Sequence, residues 1–308
     1  MFLGHLGGQG GVDLVPVSSH AGLAVMAFFA LSGYLIYKPF LNHKVRVSEH
    51  YANRLLRIVP AWAIATVGIG TVMPTALSWL VMVTWSLLVE LAFYATLPLL
   101  ARLAAGRELA TLGGLGVASL AAFWFMPPIA VPVLAMPLTL PIYFWAFAPG
   151  MCLAVIQRDR PDLIRPRPLF IAGVTLLVGG LAWASLGDAT GTYSAAAGAL
   201  VAAGTAATMA SSLGWNCRRG TALIALAADA SYPFYLWHAS ILATLSPLFR
   251  GLALGVIGFA VAATVSVASV VVVERPLRRA WVWVKKPRNA QVGLPVSVRA
   301  GKTPAAGD

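Results

Sequence analysis

The sequence predicts an all-α protein, a polytopic bundle of transmembrane helices. Three observations carry the prediction. Of 308 residues, 59% are hydrophobic and only 10% charged, against about 45–50% and about 25% in soluble domains. The apolar residues gather into nine stretches near the roughly 20 residues that a spanning helix needs. The basic residues sit between those stretches in an alternating pattern. Together these exclude a disordered chain, a small disulfide scaffold and a typical water-soluble enzyme. The two cysteines, Cys152 and Cys217, match no metal-ligand or redox spacing, so neither a metal site nor a disulfide framework is expected.

The apolar stretches cover residues 21–41, 59–76, 79–101, 109–125, 139–157, 168–187, 193–212, 222–248 and 252–273. The eighth is long for one span. Pro233 there predicts either a kink or an interfacial segment over 222–230 ahead of a helix starting at Ser231. Charge tests the map independently. Lys38, Lys44, Arg46, Arg54 and Arg57 follow the first stretch, and Arg102 and Arg107 the third. Arg158, Arg160, Arg165 and Arg167 follow the fifth, Arg218 and Arg219 the seventh, and the rest run from Arg275 to the C-terminus. Two spans separate each group from the next, so all can share one side; Arg250 alone falls on the other. The positive-inside rule makes the shared side cytoplasmic and the protein a multi-pass resident of the cytoplasmic (inner) membrane.

The first clear span then runs from outside to inside, and something must carry residues 1–20 across. That segment is Gly-rich, has no Lys or Arg, and lacks the basic start and apolar core of a signal peptide. It reads as the end of an incomplete first helix, which gives ten spans in a transmembrane domain over 1–281. Residues 282–308 read as a basic, disordered cytoplasmic tail that serves as a topology signal or contacts anionic lipid.

Ionisable groups inside a bilayer cost roughly 2.5–3.5 kcal/mol each at mid-helix, so each needs an account. Glu90 lies near the centre of its span. Ser86, Glu90 and Tyr94 share a helix face at i, i+4, i+8. The carboxylate is either tied structurally to an Arg or Trp of a neighbouring helix or part of a polar chamber. His238 falls about 10 Å into a helix that starts at Ser231; it either bonds across helices or binds substrate. Ser32-Gly33 at mid-span is a packing notch or a narrow passage. Arg54 and Arg57, at i, i+3, anchor topology or grip an anionic ligand with guanidinium forks. Glu274 neutralises a neighbouring Arg or joins the site. No phosphate-cradling Gly-rich loop, HExxH or GxSxG is present, and topology already explains the basic residues without nucleic acid.

Five segments in order resemble the acyltransferase-3 family of bacterial integral membrane O-acyltransferases. They are Phe28-Phe29-Ala30-Leu31-Ser32-Gly33-Tyr34-Leu35-Ile36, Arg54-Leu55-Leu56-Arg57-Ile58-Val59-Pro60, the Trp85-Ser86-Leu87-x-x-Glu90-x-x-Phe93-Tyr94 segment, Ser231-Tyr232-x-x-Tyr235-Leu236-x-His238, and Glu274-Arg275-Pro276. Residues 143–157 also look like the family's mid-chain Phe-x-x-Gly-Met helix. The sequence departs from the pattern at Met26, where the family has an acid.

The resemblance implies about ten helices. It implies transfer of an acyl group, often acetyl, from cytoplasmic acyl-CoA to a hydroxyl of an envelope glycan or lipid-linked sugar, with no resident cofactor. It also implies a first-helix histidine: His5 is best placed to be it and His20 is a second candidate. On this reading His5 is general base or transient acyl carrier, and Glu90 orients it or binds the acceptor. Arg54 and Arg57 take the CoA phosphates. Ser32, Trp85, Ser86, Tyr94, His238 and Glu274 complete the substrate site. The alternatives are a non-enzymatic transporter using the same polar core or an inactive truncated relative.

Overall fold

A computed structural model describes residues 1–11, 21–41, 45–125, 138–187, 195–213 and 221–285. His20, Lys44, Cys217, Arg218, Arg219 and the tail from 286 lie outside the described residues. The elements are helices: α1 (Phe2–Gly8), α2 (Ala21–Leu41), α3 (Val47–Val72), α4 (Leu77–Leu103), α5 (Glu108–Phe125), α6 (Leu140–Asp159), α7 (Pro166–Gly187), α8 (Ala195–Ser212), α9 (Thr221–Leu245), α10 (Gly251–Ser269) and α11 (Arg275–Lys285). Among the described residues, the one pairing of extended backbone is the isolated bridge between Gly11 and Gly251. The chain is an all-α polytopic bundle.

Helices α2 to α10 coincide with the nine apolar stretches. All but α9 are long and apolar enough to cross a membrane. Large apolar side chains such as Leu35, Val67, Trp124, Phe170 and Leu252 stand exposed on the outer surface, as they do where the solvent is hydrocarbon. Helix α9 is the polar member. It carries Asp229, Ser231, Tyr232, Tyr235, His238 and Ser240, and its lower hydropathy reflects what it contributes inside the bundle.

Three boundaries differ from the sequence expectation. Helix α3 starts at Val47, twelve residues before its apolar stretch, so Arg54 and Arg57 lie inside the helix rather than at its opening. Its polar first turns are held by α4. His50 Nε2 donates to the Tyr94 carbonyl at 3.2 Å and Tyr51 to the Ala95 carbonyl at 2.9 Å. Pro98, four residues after Tyr94, has no N–H to offer that carbonyl, and His50 takes the open place. Second, α9 is continuous from Thr221 through Pro233, not an interfacial piece followed by a helix from Ser231. Third, the last span runs on past residue 273 through a π-helical turn, Val270–Glu274, into α11. Pro276 has no N–H for the Val272 carbonyl, and the wider turn accommodates the lost bond.

Contacts near the helix ends sort the bundle into two faces. On one, Arg158 meets Glu108 at 3.3 Å and the Tyr34 hydroxyl meets Gln157 at 2.6 Å. Lys38 lies 3.0 Å from that hydroxyl, and Arg275 and Arg278 reach Asp229 at 3.4 and 3.1 Å. On the other, Ser240 donates to the Ala76 carbonyl, Gln9 to the Ala239 carbonyl and the Gly251 amide to the Gly10 carbonyl. The basic groups gather on the first face, as the charge pattern requires.

Helix α2 packs tightly on α6, and α7 on α8. Small residues set both crossings. A methyl group at Gly33 would collide with the Phe147 carbonyl, and one at Gly150 with the Ala30 carbonyl. Between α2, α6 and α4 the rings of Phe29, Phe147 and Phe93 stack with centroids 4.4 and 4.2 Å apart. Met26, in place of an acid, is fully buried in this apolar core.

Gly33→Ala should therefore force α2 from α6 and cost about 1–3 kcal/mol. Gly113→Ala, where α5 leaves open space, should be neutral or stabilising by up to about 1 kcal/mol. Thermal melts in detergent check the pair; equal behaviour of the two variants contradicts the close crossing.

Candidate functional site

A cavity of about 290 Å³ lies among α2, α3, α4 and α9. Helices α2 and α9 both pack on α4 but scarcely on each other, which leaves the space between them. Its polar lining comes from Ser32, Arg54, Arg57, Ser86, Glu90, Tyr94, Ser231, Tyr232 and Tyr235. Six of these are residues that the sequence singled out, drawn from three separate segments.

Glu90 is the centre of the polar wall. Its Oε1 accepts from the Ser32 hydroxyl at 2.5 Å and from the Tyr94 hydroxyl one turn along α4. None of the ion pairs among the described residues involves Glu90, so hydroxyls rather than a cation hold the carboxylate. The aromatic stack explains the register: Phe29 lies one turn before Ser32 and Phe93 one turn after Glu90, so stacking α2 and α4 onto Phe147 brings the two polar groups together. Ser32 and Gly33 thus divide the two roles read for them, one facing the cavity and the other forming the helix crossing.

Arg54 stands at the basic end. Its guanidinium lies 5.7 Å over the Tyr94 ring, and its buried Nε has no hydrogen-bond partner among the described residues. Arg57, one turn along, is exposed at the cavity edge. Two guanidinium groups, one of them with a buried free N–H, form a site that suits an anion.

Tyr235 links this cavity to a second polar cluster. Its hydroxyl donates to the Val83 carbonyl at 2.7 Å and accepts from Ser86 at 2.6 Å. Its backbone carbonyl takes the Nδ1–H of His238 at 2.7 Å. The His238 ring is 5.2 Å from the His5 ring, centroid to centroid. Helix α1 sets this approach. Leu6 beds against Leu242 and Leu254, Gln9 bonds to Ala239, and Phe2 lies against Phe234 and Phe259. Trp79 closes edge-on against His5 at 6.2 Å. The histidines sit near the end of α9 away from Asp229, roughly 13.5 Å along the axis.

Trp85 and Glu274 lie outside the cavity lining. Trp85 packs on Phe29 and Tyr143. Glu274 is 2% exposed and lies 3.9 Å from Arg278, beside the Asp229 cluster that ties α11 to α9. Tyr232 and Tyr235 were not singled out from the sequence. The successive three-residue steps from Tyr232 to Tyr235 to His238 along one helix were the available signal.

A cavity with polar groups in its wall, cations at one end and imidazoles beyond the other, set among apolar helices, characterises a multi-pass membrane protein. The chain belongs to the acyltransferase-3 family: the family's acyltransferase-domain model matches residues 1–275, which include every site residue named above. No curated protein and no solved structure matches it.

Ser32→Ala removes one of two donors to Glu90 and should cost about 1.5–3 kcal/mol. Adding Glu90→Gln should recover part of that loss, because the charge that needed the donor is gone. Melts of the two single variants and the double test this; strictly additive losses contradict the coupling.

Proposed function

We propose that the protein is a membrane O-acyltransferase of the cytoplasmic membrane, moving an acyl group, acetyl in the simplest case, from cytoplasmic acyl-CoA to a hydroxyl of an envelope glycan or lipid-linked sugar. The observation that carries the reading is the order of groups along one path. Arg54 and Arg57 stand at the basic face, Glu90 with Ser32, Ser86 and Tyr94 in the middle, and His5 with His238 beyond Tyr235. A thioester donor is anionic at its nucleotide end and neutral at its acyl end, and the path has that polarity.

In this reading the guanidinium groups bind donor phosphates. His5, less buried than His238, takes the proton of the acceptor hydroxyl as its oxygen attacks the thioester carbonyl. The C–S bond breaks, and the leaving thiolate recovers the proton. Glu90 accepts from Ser32 and Tyr94, so its part is to hold a polar wall against which donor or acceptor hydroxyls bind, rather than to orient His5 by direct contact.

His5→Ala should lower turnover about 10²–10⁴-fold with expression and melting temperature unchanged. Purified His5→Ala protein that transfers acetyl at the wild-type rate would overturn the assignment. Arg54→Ala should raise the KM for acetyl-CoA while kcat changes little. An unchanged KM removes the phosphate role.

A further inference from the structure

His238 is 1% exposed in a membrane-spanning helix, a placement that costs free energy and calls for a compensating role. Its Nδ1 lies 2.7 Å from the Tyr235 carbonyl and 3.1 Å from the Phe234 carbonyl. Carbonyls only accept, so Nδ1 carries the proton, and the neutral ring keeps its lone pair on Nε2. That nitrogen is buried and has no partner among the described residues. Four rings lie within 6.5 Å of His238: His5 at 5.2 Å, Phe234 and Tyr235 at 5.9 Å, and Phe2 at 6.5 Å. The Tyr235 hydroxyl is engaged with Val83 and Ser86, and Phe2 and Phe234 offer nothing polar. Of these rings, His5 is the one with a hydrogen-bonding nitrogen to offer Nε2.

We propose that His238 is a positioning residue for His5: its Nε2 lone pair accepts the N–H of the His5 imidazolium and stabilises that cation while the acyl group changes hands. The inference rests on His5 being the base. The proton balance is closed. The acceptor O–H bond breaks and its proton moves to the free nitrogen of His5. The opposite His5 N–H bonds to His238. As the new C–O ester bond forms and the thioester C–S bond breaks, the proton passes from His5 to the thiolate. Ring centroids 5.2 Å apart let facing nitrogens meet once the rings turn together, as catalytic hydrogen bonds tighten when substrate binds. Phe2, Phe234 and Trp79 around the pair keep the local dielectric low, which strengthens the contact.

Two substitutions separate this role from a structural one. Asn at 238 places an amide N–H where Nδ1 donates to the helix carbonyls but leaves nothing at Nε2. Gln reaches the Nε2 position with a carbonyl acceptor and gives up the carbonyl anchor. Purified wild type, His5→Ala, His238→Asn and His238→Gln are compared by thiol release from acetyl-CoA with methyl glucoside as a soluble hydroxyl acceptor, alongside melting temperatures. The expected result is kcat about 10²-fold down in His238→Asn, less than tenfold down in His238→Gln, KM for acetyl-CoA unchanged in both, and Asn the more thermostable. Wild-type kcat in His238→Asn overturns the proposal, as does activity that follows melting temperature with Asn above Gln. A loss in His5→Ala alone overturns the positioning role and leaves the functional reading standing. Wild-type kcat in His5→Ala overturns the base itself and everything built on it.

Discussion

Everything in this structure turns on how a hydrocarbon-immersed bundle keeps a carboxylate. Glu90 sits in a span that is otherwise apolar, at a cost of roughly 2.5–3.5 kcal/mol. Two hydroxyl donors, from Ser32 and Tyr94, meet one of its oxygens. Hydrogen bonds to a charged group contribute about 1.5–3 kcal/mol each, enough to offset that cost. A guanidinium in direct contact would neutralise the group more strongly, yet among the described residues none is paired with it. The carboxylate is therefore held by hydroxyls of the protein, at a residue that lines the cavity.

The scaffold that makes this possible is closely packed beside the cavity. Phe29, Phe147 and Phe93 form one stack through three helices, and Gly33 and Gly150 let α2 and α6 approach backbone to backbone. Helix α9 packs on α4 from the other side and brings hydroxyls and an imidazole instead of aliphatic filler. One helix thereby connects the two ends of the bundle. Asp229 is clasped by Arg275 and Arg278 at the basic face, Tyr235 stands in the cavity wall, and His238 meets α1. The polarity that lowers the hydropathy of α9 is the same property that gives the bundle a polar interior.

The nine apolar stretches were legible as helices, eight of them long and apolar enough to span, because hydropathy and the basic residues report the same pattern by unrelated physics. Most of the cavity was legible too. Ser86, Glu90 and Tyr94 share a helix face, and Arg54 and Arg57 stand one turn apart. The start of α3 was not legible. Its first turns are polar, and they are stabilised by the carbonyls of Tyr94 and Ala95, which lie on another helix. The meeting of His5 with His238 could not be read either, because 233 positions separate them and tertiary contacts of α1 (Leu6 on Leu242 and Leu254, Gln9 on Ala239, Phe2 on Phe234) bring them together. Tyr235 was visible in its motif but carried no sign of its partner, since its contact with Ser86 depends on the packing of α9 against α4. Trp85 and Glu274, chosen for their motif company, fall outside the lining, because neighbours in sequence on a helix point to different faces.

The central claim is a single polar path from the basic face to the histidine pair, and a structure determined with a non-hydrolysable acetyl-CoA analogue tests it most directly. The account predicts the phosphates against Arg54 and Arg57, with the acyl end past Glu90 at Tyr235 and within reach of His5. An analogue seated elsewhere in the bundle, or one whose acyl end turns away from Tyr235 toward lipid, contradicts it.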